Sequence, residues 1–396
     1  MPFIKMVEGD LLRIPAAELQ ESVALKIHRE LGRQIHIDFP TLLNGNHYTL
    51  RSSGYIGNLS LDDKTQLQIK PKIPLANLLG IIEYAYQLDS IQFMEQAIQC
   101  QNLDEVFDFL AAVLAKKVRT RAQRGLLQDY VKEEGQLSYL RGRLIPETSL
   151  KNNFNRQLTM ACRFYQHTTN LLDNRILAWT LYRLGNLRWQ DLEVKQMVHH
   201  AFRLVAGAVD VDYVKPEAFR NRVYHRLNQD YRSMHAICRF FLENSGPQLG
   251  AGKREFMSLL VYMPALFEAF IAEWLKVHLG GGYQLQSQYR VGLEGSHNLA
   301  FRIDLVLREV SSGRVLAVLD TKYKRGKSPE EADIQQVVAY AVRMETKRAF
   351  LVYPSEFTES LAVQVGDVQV KTLVFDLGEE LQESGANFMQ YLLDNL

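Results

Sequence analysis

Two neighbouring stretches decide the fold of this chain: Phe301-Arg302-Ile303-Asp304-Leu305-Val306-Leu307 and Val315-Leu316-Ala317-Val318-Leu319-Asp320-Thr321-Lys322-Tyr323-Lys324. They read as strands Leu299 to Glu309 and Arg314 to Tyr323, joined by a turn at Ser311-Ser312-Gly313. Residues Val315 to Leu319 are continuously apolar, as in a strand buried on both faces. Side chains alternate along a strand, so Asp320 and Lys322 emerge on one face, roughly 6.5 Å apart, while Thr321 points the other way. The carboxylate and the ammonium follow the apolar run, where a sheet opens to solvent. Asp304 lies on the adjacent strand and can converge on Asp320.

Working outward, Met263 to Leu279 predicts a helix with Pro264 near its start. Gly280-Gly281-Gly282 stops it. Gln284 to Val291 reads as a strand, Ser328 to Met344 as a helix, and Arg348 to Tyr353 and Val368 to Phe375 as strands. That order is α/β. Upstream, residues 76–245 read as mostly helical, with candidates at Ala76 to Leu88, Leu103 to Arg124, Leu171 to Trp189 and Ala218 to Leu242. Gly135 to Pro146 and Val205 to Val214 interrupt them as irregular or strand-like segments. Nearer the N-terminus, Leu19, Val23, Ile27 and Leu31 mark a helix over Ala16 to Leu31, and Leu50 to Ile73 reads as short strands. Turn signals there are Ser52-Ser53-Gly54 and Asp62-Asp63-Lys64. The clearest linker is Asn244-Ser245-Gly246-Pro247 with Gly250-Ala251-Gly252. The expected fold class is α/β in three regions: a mixed, β-rich part over 1–95, a helical middle over 96–250 and an α/β domain over 251–396.

Composition narrows the function. The 396 residues carry 46 Lys and Arg against 45 Asp and Glu, a net charge of +1. A uniformly basic DNA-coating protein is excluded, although a local basic patch is not. No signal peptide and no run of eighteen apolar residues is visible, so no membrane role is expected. The three cysteines, Cys100, Cys162 and Cys238, are too sparse for a disulfide framework or a zinc site. A reducing cytoplasm is the expected compartment. No G-x-x-x-x-G-K-[ST] phosphate loop, H-E-x-x-H or G-x-S-x-G motif is present. Any nucleotide-driven step would need another chain.

Two carboxylates and a lysine suit phosphodiester hydrolysis. Carboxylate oxygens hold Mg²⁺, which offsets charge on the phosphate and acidifies a bound water. The lysine can position or deprotonate that water, or stabilise the transition state. Here the chain resembles the PD-(D/E)XK nuclease superfamily, whose fold is restriction-endonuclease-like. Asp304, Asp320 and Lys322 match its pattern of an acid, a second acid on the next strand, one intervening residue and a lysine. The resemblance further implies a glutamate on the helix before the sheet, matched by Glu268, with Glu273 on the same helix as the alternative. It also implies the Gln, three residues, Tyr pattern of some branches, matched by Gln336 and Tyr340, which share one helix face. Ile303 departs from the proline that many members carry before the first aspartate.

A closer resemblance, to the McrC family, runs along most of the chain. It rests on Leu67-Gln68-Ile69-Lys70-Pro71-Lys72-Ile73, Cys162-Arg163-Phe164, Asp173-Asn174-Arg175-Ile176-Leu177, Met263-Pro264-Ala265-Leu266-Phe267-Glu268 and Asp320-Thr321-Lys322-Tyr323-Lys324. It implies the nuclease subunit of a McrBC-type restriction system. Such a subunit cuts double-stranded DNA with Mg²⁺ only when joined to a McrB-like AAA+ GTPase ring that reads modified cytosine. The N-terminal region then contacts the motor and stimulates its GTPase. The rivals are a stand-alone nuclease of repair or phage defence and a non-catalytic adaptor of an AAA+ ring.

Residues 116–156 hold ten Lys or Arg against four Asp or Glu. Lys116, Lys117, Arg119, Arg121 and Arg124 begin this excess, which is either a DNA or partner surface or a solvated helix face. Lys324, Arg325 and Lys327 border the candidate catalytic lysine and are expected to touch phosphate.

Overall fold

The computed structural model describes residues 3–61, 65–88, 100–149, 159–187, 189, 191–219, 222–245, 259–292, 300–324, 328–356 and 361–396. The expected turn at 62–64 and most of the expected linker lie outside them. The chain forms two compact units, Met1–Phe107 with Asn244–Leu396, and Asp108–Glu243. The sequence suggests three successive regions; in the structure the first and the last share a unit.

The first unit begins with strands β1 (Phe3–Val7) and β2 (Leu11–Pro15), helix α1 (Glu21–Glu30), and strands β3 (Ile35–Asp38), β4 (His47–Ser52), β5 (Tyr55–Ser60) and β6 (Gln66–Lys70), followed by α2 (Leu75–Tyr86). Helix α1 is shorter than the expected Ala16 to Leu31, since its first residues are spent in a turn where the Glu18 amide donates to Pro15 O. Its predicted apolar stripe is nevertheless buried: Leu19, Val23, Ile27 and Leu31 share a core with Leu50, Leu67 and Ile69.

Helix α3 (Leu103–Gln123) leads into the second unit. There β7 (Asp129–Leu137) and the short β8 (Arg143–Leu144) flank β9 (Met160–Thr168) in a three-stranded sheet, followed by helices α4 (Leu172–Gly185), α5 (Leu192–Ala206) and α6 (Tyr231–Asn244). The single long helix expected over Ala218 to Leu242 is not formed. A 3₁₀ turn covers Pro216–Phe219 and α6 starts only at Tyr231. Before it, the Asn228 side chain accepts from the His225 amide at 2.7 Å, so a local side-chain bond replaces helical pairing. Buried Asn174 organises this unit's interior, accepting from Tyr231 Oη at 2.5 Å and donating to Leu127 O and Thr169 O.

The chain then returns to the first unit. Strand β10 (Leu259–Tyr262) pairs antiparallel with β5, completing the sheet β1-β6-β5-β10. Gly57 permits this approach: its φ is +138°, and a Cβ there would lie 2.0 Å from Leu259 O. Helix α7 (Met263–His278) follows directly, with Pro264 in its first turn as expected. Its face carrying Phe270 and Trp274 stacks on Tyr84 of α2 and on Phe375.

Strands β11 (Tyr283–Gly292), β12 (Ala300–Glu309) and β13 (Val315–Thr321), helix α8 (Glu331–Arg343), strands β14 (Arg348–Tyr353), β15 (Ala362–Val365) and β16 (Val368–Val374), and helix α9 (Leu381–Asp394) complete the chain. The six-stranded sheet runs β11-β12-β13-β14-β16-β15. Strands β13, β14 and β16 are parallel, and the other pairs are antiparallel. Helix α8 crosses between β13 and β14, and its Val337, Tyr340 and Ala341 pack on Ile303, Val318 and Leu351. The architecture is thus mixed α/β, with the central strand β13 buried as its apolar run predicts.

Candidate functional site

The antiparallel register of β12 and β13 sets Leu305 opposite Leu319, which brings Asp304 and Asp320 to the next position along. Asp320 is 1% exposed, and Asp304 is half-buried. Lys322 lies just past β13, tied to the sheet by its amide donating to Val352 O at 2.8 Å. Its Nζ stands 2.8 Å from Asp320 Oδ2 and donates to Gln336 Oε1 at 2.9 Å. Gln336 Nε2 in turn donates to Tyr340 Oη at 2.6 Å. Asp304, Asp320, Lys322, Gln336 and Tyr340 are therefore brought together, and the i, i+4 pair on α8 works as a relay behind the lysine. Tyr340 is buried against Phe301, so it reaches the site only through Gln336.

One orientation differs from strand alternation. The Thr321 hydroxyl and amide both donate to Asp304 Oδ2 at 2.8 Å, so this residue turns toward the acid instead of away.

Glu268 on α7 accepts from Gln288 Nε2 at 3.0 Å. Burial raises its pKa, and the charge of Asp304 adds to the rise, which places the two carboxylates within electrostatic reach. Glu273 is engaged elsewhere, with Lys276 at 2.6 Å and Gln87 at 2.7 Å. Of the two glutamates, Glu268 belongs to the cluster. Gln288 is a residue that sequence reading misses. Its φ of +50° is uncommon for a residue with a side chain, and such backbone often marks a site.

Electrostatics set this cluster apart. Burial, with Asp304 close by, pushes the Asp320 carboxyl up to about 6. Lys322 is pushed down by burial, yet Asp320, Asp333 and Asp304 outweigh that and raise it. Asp320 Oδ2 is buried, and the Lys322 ammonium at 2.8 Å is its charge partner. A buried carboxylate beside a second carboxylate, with one ammonium beside them and further acids nearby, is a donor set that a hard cation suits. Among the described residues no three Asp, Glu, His or Cys side chains form a ready-made cage. Mg²⁺ needs none, since it is commonly held by one or two carboxylates and keeps several waters. The donor set therefore fits Mg²⁺.

A family model described as "McrBC 5-methylcytosine restriction system component" matches residues 50–354. The chain belongs to this family. Among curated proteins none matches. Among solved structures, a Thermococcus gammatolerans chain aligns over 100% of both chains with 17% identity and a TM-score of 0.58. It comes from a half-complex of a tetradecameric assembly of McrB AAA+ hexamers with bound McrC. A second, from the Thermococcus gammatolerans McrBC complex, is covered over 88% by 70% of this chain, with 19% identity and a TM-score of 0.45. The first alignment shows a shared fold along the whole chain.

The remaining basic residues of this McrBC-family chain divide. Lys324 is held by Glu330 at 2.8 Å and Asp333 at 3.2 Å. Arg325 and Lys327 lie outside the described residues. Beside the site a cleft of about 320 Å³ is lined by Glu8, Lys72, Tyr323, Lys324, Glu330 and Pro354, among others. Tyr323 Oη and Glu8 Oε2 are 3.2 Å apart across it. In the other unit, Lys116, Arg119 and Arg124 are exposed and Lys117 is half-buried. Arg121 is committed internally, to Asp230 at 3.4 Å and over the Tyr231 ring at 5.0 Å. No helix among the described residues is long and apolar enough to cross a membrane.

Proposed function

We propose that this chain is the Mg²⁺-dependent DNA endonuclease subunit of a McrBC-like restriction system. It hydrolyses phosphodiester bonds when assembled with a GTP-hydrolysing AAA+ partner that reads modified DNA, and it stimulates that partner's GTPase. The observation that carries this reading is the convergence of Asp304, midway along β12, with Asp320 and Lys322 at the end of β13. Family membership and the McrB AAA+ hexamers bound to the structural relative support the partner.

Asp304 and Asp320 would hold the ion, and Glu268 would complete the shell. The chemistry that a bound Mg²⁺ supplies is neutralisation of phosphate charge and acidification of a water. Thr321 fixes Asp304 through two hydrogen bonds, so the first ligand is oriented before DNA arrives. Surrounding carboxylates keep Lys322 an ammonium at neutral pH. That suits it to grip the scissile phosphate and stabilise the charge developing there, not to remove a proton. Gln336 holds the ammonium in place, and Tyr340 Oη fixes the amide by accepting from its Nε2.

The test assays DNA cutting and partner GTP turnover in parallel for Asp320→Ala and Lys322→Ala. Both variants should lose cutting while the partner's GTPase remains stimulated. Undiminished cutting by both removes the assignment. Robust cutting of plasmid by the purified chain with Mg²⁺ alone, without GTP or partner, would instead favour a stand-alone nuclease.

A further inference from the structure

Asp333 is a buried acid beside Lys322 that neither the motif nor the proposed chemistry uses. It sits in the first turn of α8 and is 5% exposed. A carboxylate is not buried without compensation. Here the compensation comes from two lysines of a single three-residue segment. Lys324 Nζ lies 3.2 Å from each Asp333 oxygen, and Lys322 Nζ lies 3.7 Å from Oδ1. Tyr353 Oη, from the neighbouring strand β14, lies 3.4 Å from Oδ2. Past Thr321 the segment Lys322–Lys324 has left the strand, and Asp333, with Gln336, ties it to the helix.

Lys322 therefore stands between two acids. On one side is Asp320 at 2.8 Å and on the other Asp333 at 3.7 Å, with Gln336 Oε1 at 2.9 Å. The nearer acid is the one whose oxygen is needed for a cation. An ammonium and a metal ion cannot share Asp320 Oδ2 without strong repulsion. For the metal to enter, Lys322 must shift its charge contact from Asp320 while staying in the site. Asp333 and Gln336 offer it that seat.

We propose that Asp333 is a positioning residue that draws Lys322 off Asp320 when a divalent cation binds. This rests on the reading of Asp304 and Asp320 as the metal seat. Lys324 opposes the effect, because it competes for the same carboxylate.

The experiment measures Mn²⁺ binding to the full chain by calorimetry, and the Mg²⁺ dependence of cutting by the chain with its partner. Asp333→Asn keeps the shape and removes the charge. It should weaken Mn²⁺ binding roughly ten- to a hundredfold, the usual scale for outer-shell partners, and raise the Mg²⁺ needed for half-maximal cutting by a similar factor. Asp333→Glu should recover part of the loss. Lys324→Gln, which leaves Asp333 its contacts with Lys322 and Tyr353, should shift Mn²⁺ binding the other way, to tighter. A purely structural Asp333 would lower the amount of folded protein but leave affinity per folded molecule unchanged. Wild-type Mn²⁺ affinity in both Asp333→Asn and Lys324→Gln overturns the inference. Should Asp333→Asn not fold, the direction seen with Lys324→Gln decides alone. Asp320→Ala run alongside separates the two readings: normal cutting by it sinks the nuclease reading, whereas a dead Asp320→Ala beside an unperturbed Asp333→Asn sinks only this one.

Discussion

Replacing Asp320 by Asn should make the protein more stable while removing its activity. The folded state raises this carboxyl from 3.8 to about 6, with burial as the leading cause and Asp304 next. At about 1.4 kcal/mol per tenfold change in an equilibrium, the ionised side chain costs the fold about 3 kcal/mol. The sign follows from the two states. Above pH 6 both folded and unfolded chains carry the charge, and the whole cost is present. As pH falls below 6 the folded chain takes up the proton first, and the cost shrinks. Below 3.8 both are protonated and it is gone. Asp320→Asn, which keeps the shape without the charge, should therefore gain roughly 5–10 °C in the transition of its unit at pH 8 in chelator. The gain should vanish near pH 4. Added Mg²⁺ should stabilise the wild type and leave the variant unmoved. Thermal unfolding followed by Trp274 fluorescence reads all three. A variant at pH 8 no more stable than wild type would refute the reasoning, since Lys322 would then compensate Asp320 fully.

Thr321→Val deletes the hydroxyl bond to Asp304 Oδ2 but keeps the amide bond; cutting should fall about tenfold with melting unchanged, and a wild-type rate would show that the amide alone orients the acid. Asn174→Ala strips Tyr231, Leu127 and Thr169 of buried partners; urea unfolding of the Asp108–Glu243 unit, followed by its own Trp179 and Trp189, should show a loss of about 3 kcal/mol. Gly385→Ala would place a Cβ 1.9 Å from Trp274 Cζ2; α9 must then shift, and a loss of about 2–3 kcal/mol with a changed Trp274 emission is expected. An unaltered spectrum would place α9 off that ring.

The stretch from Ala300 to Thr321 was legible because its rules are local. Continuous apolar residues marked the buried strand, and a tight turn fixed which residues faced each other. Strand alternation put Asp320 and Lys322 on one face, the hairpin set Asp304 beside them, and the resemblance marked the three as a site. Gln336 and Tyr340 were marked by the resemblance and set on one face by the helical period; Asp333 three residues before Gln336 shares that face, so a full reading of the turn would have found it. Gln288 had no such signal, because its positive φ and its bond to Glu268 depend on a helix twenty residues away. Strand β10 was hidden for the same reason: its partner β5 lies some two hundred residues upstream. The arginine-rich stretch before Tyr231 misled because helical spacing persists where Asn228 closes its own turn.

Charge balance links these pieces. Asp304, Asp320, Asp333 and Glu268 contribute four negative charges to the cluster, and Lys322 and Lys324 return two. Glu330 and Arg302, both exposed at its edge, offset one another. The remainder is two negative charges in a setting where burial already drives Asp320 and Glu268 toward protonation. Protons or one divalent cation can supply that remainder, and the two compete. Raising the pH through 6 should then tighten metal binding, because ionising Asp320 removes the competing proton. If Mn²⁺ affinity stayed flat from pH 5 to 8, Asp320 would not be a ligand, whatever its distance from Asp304.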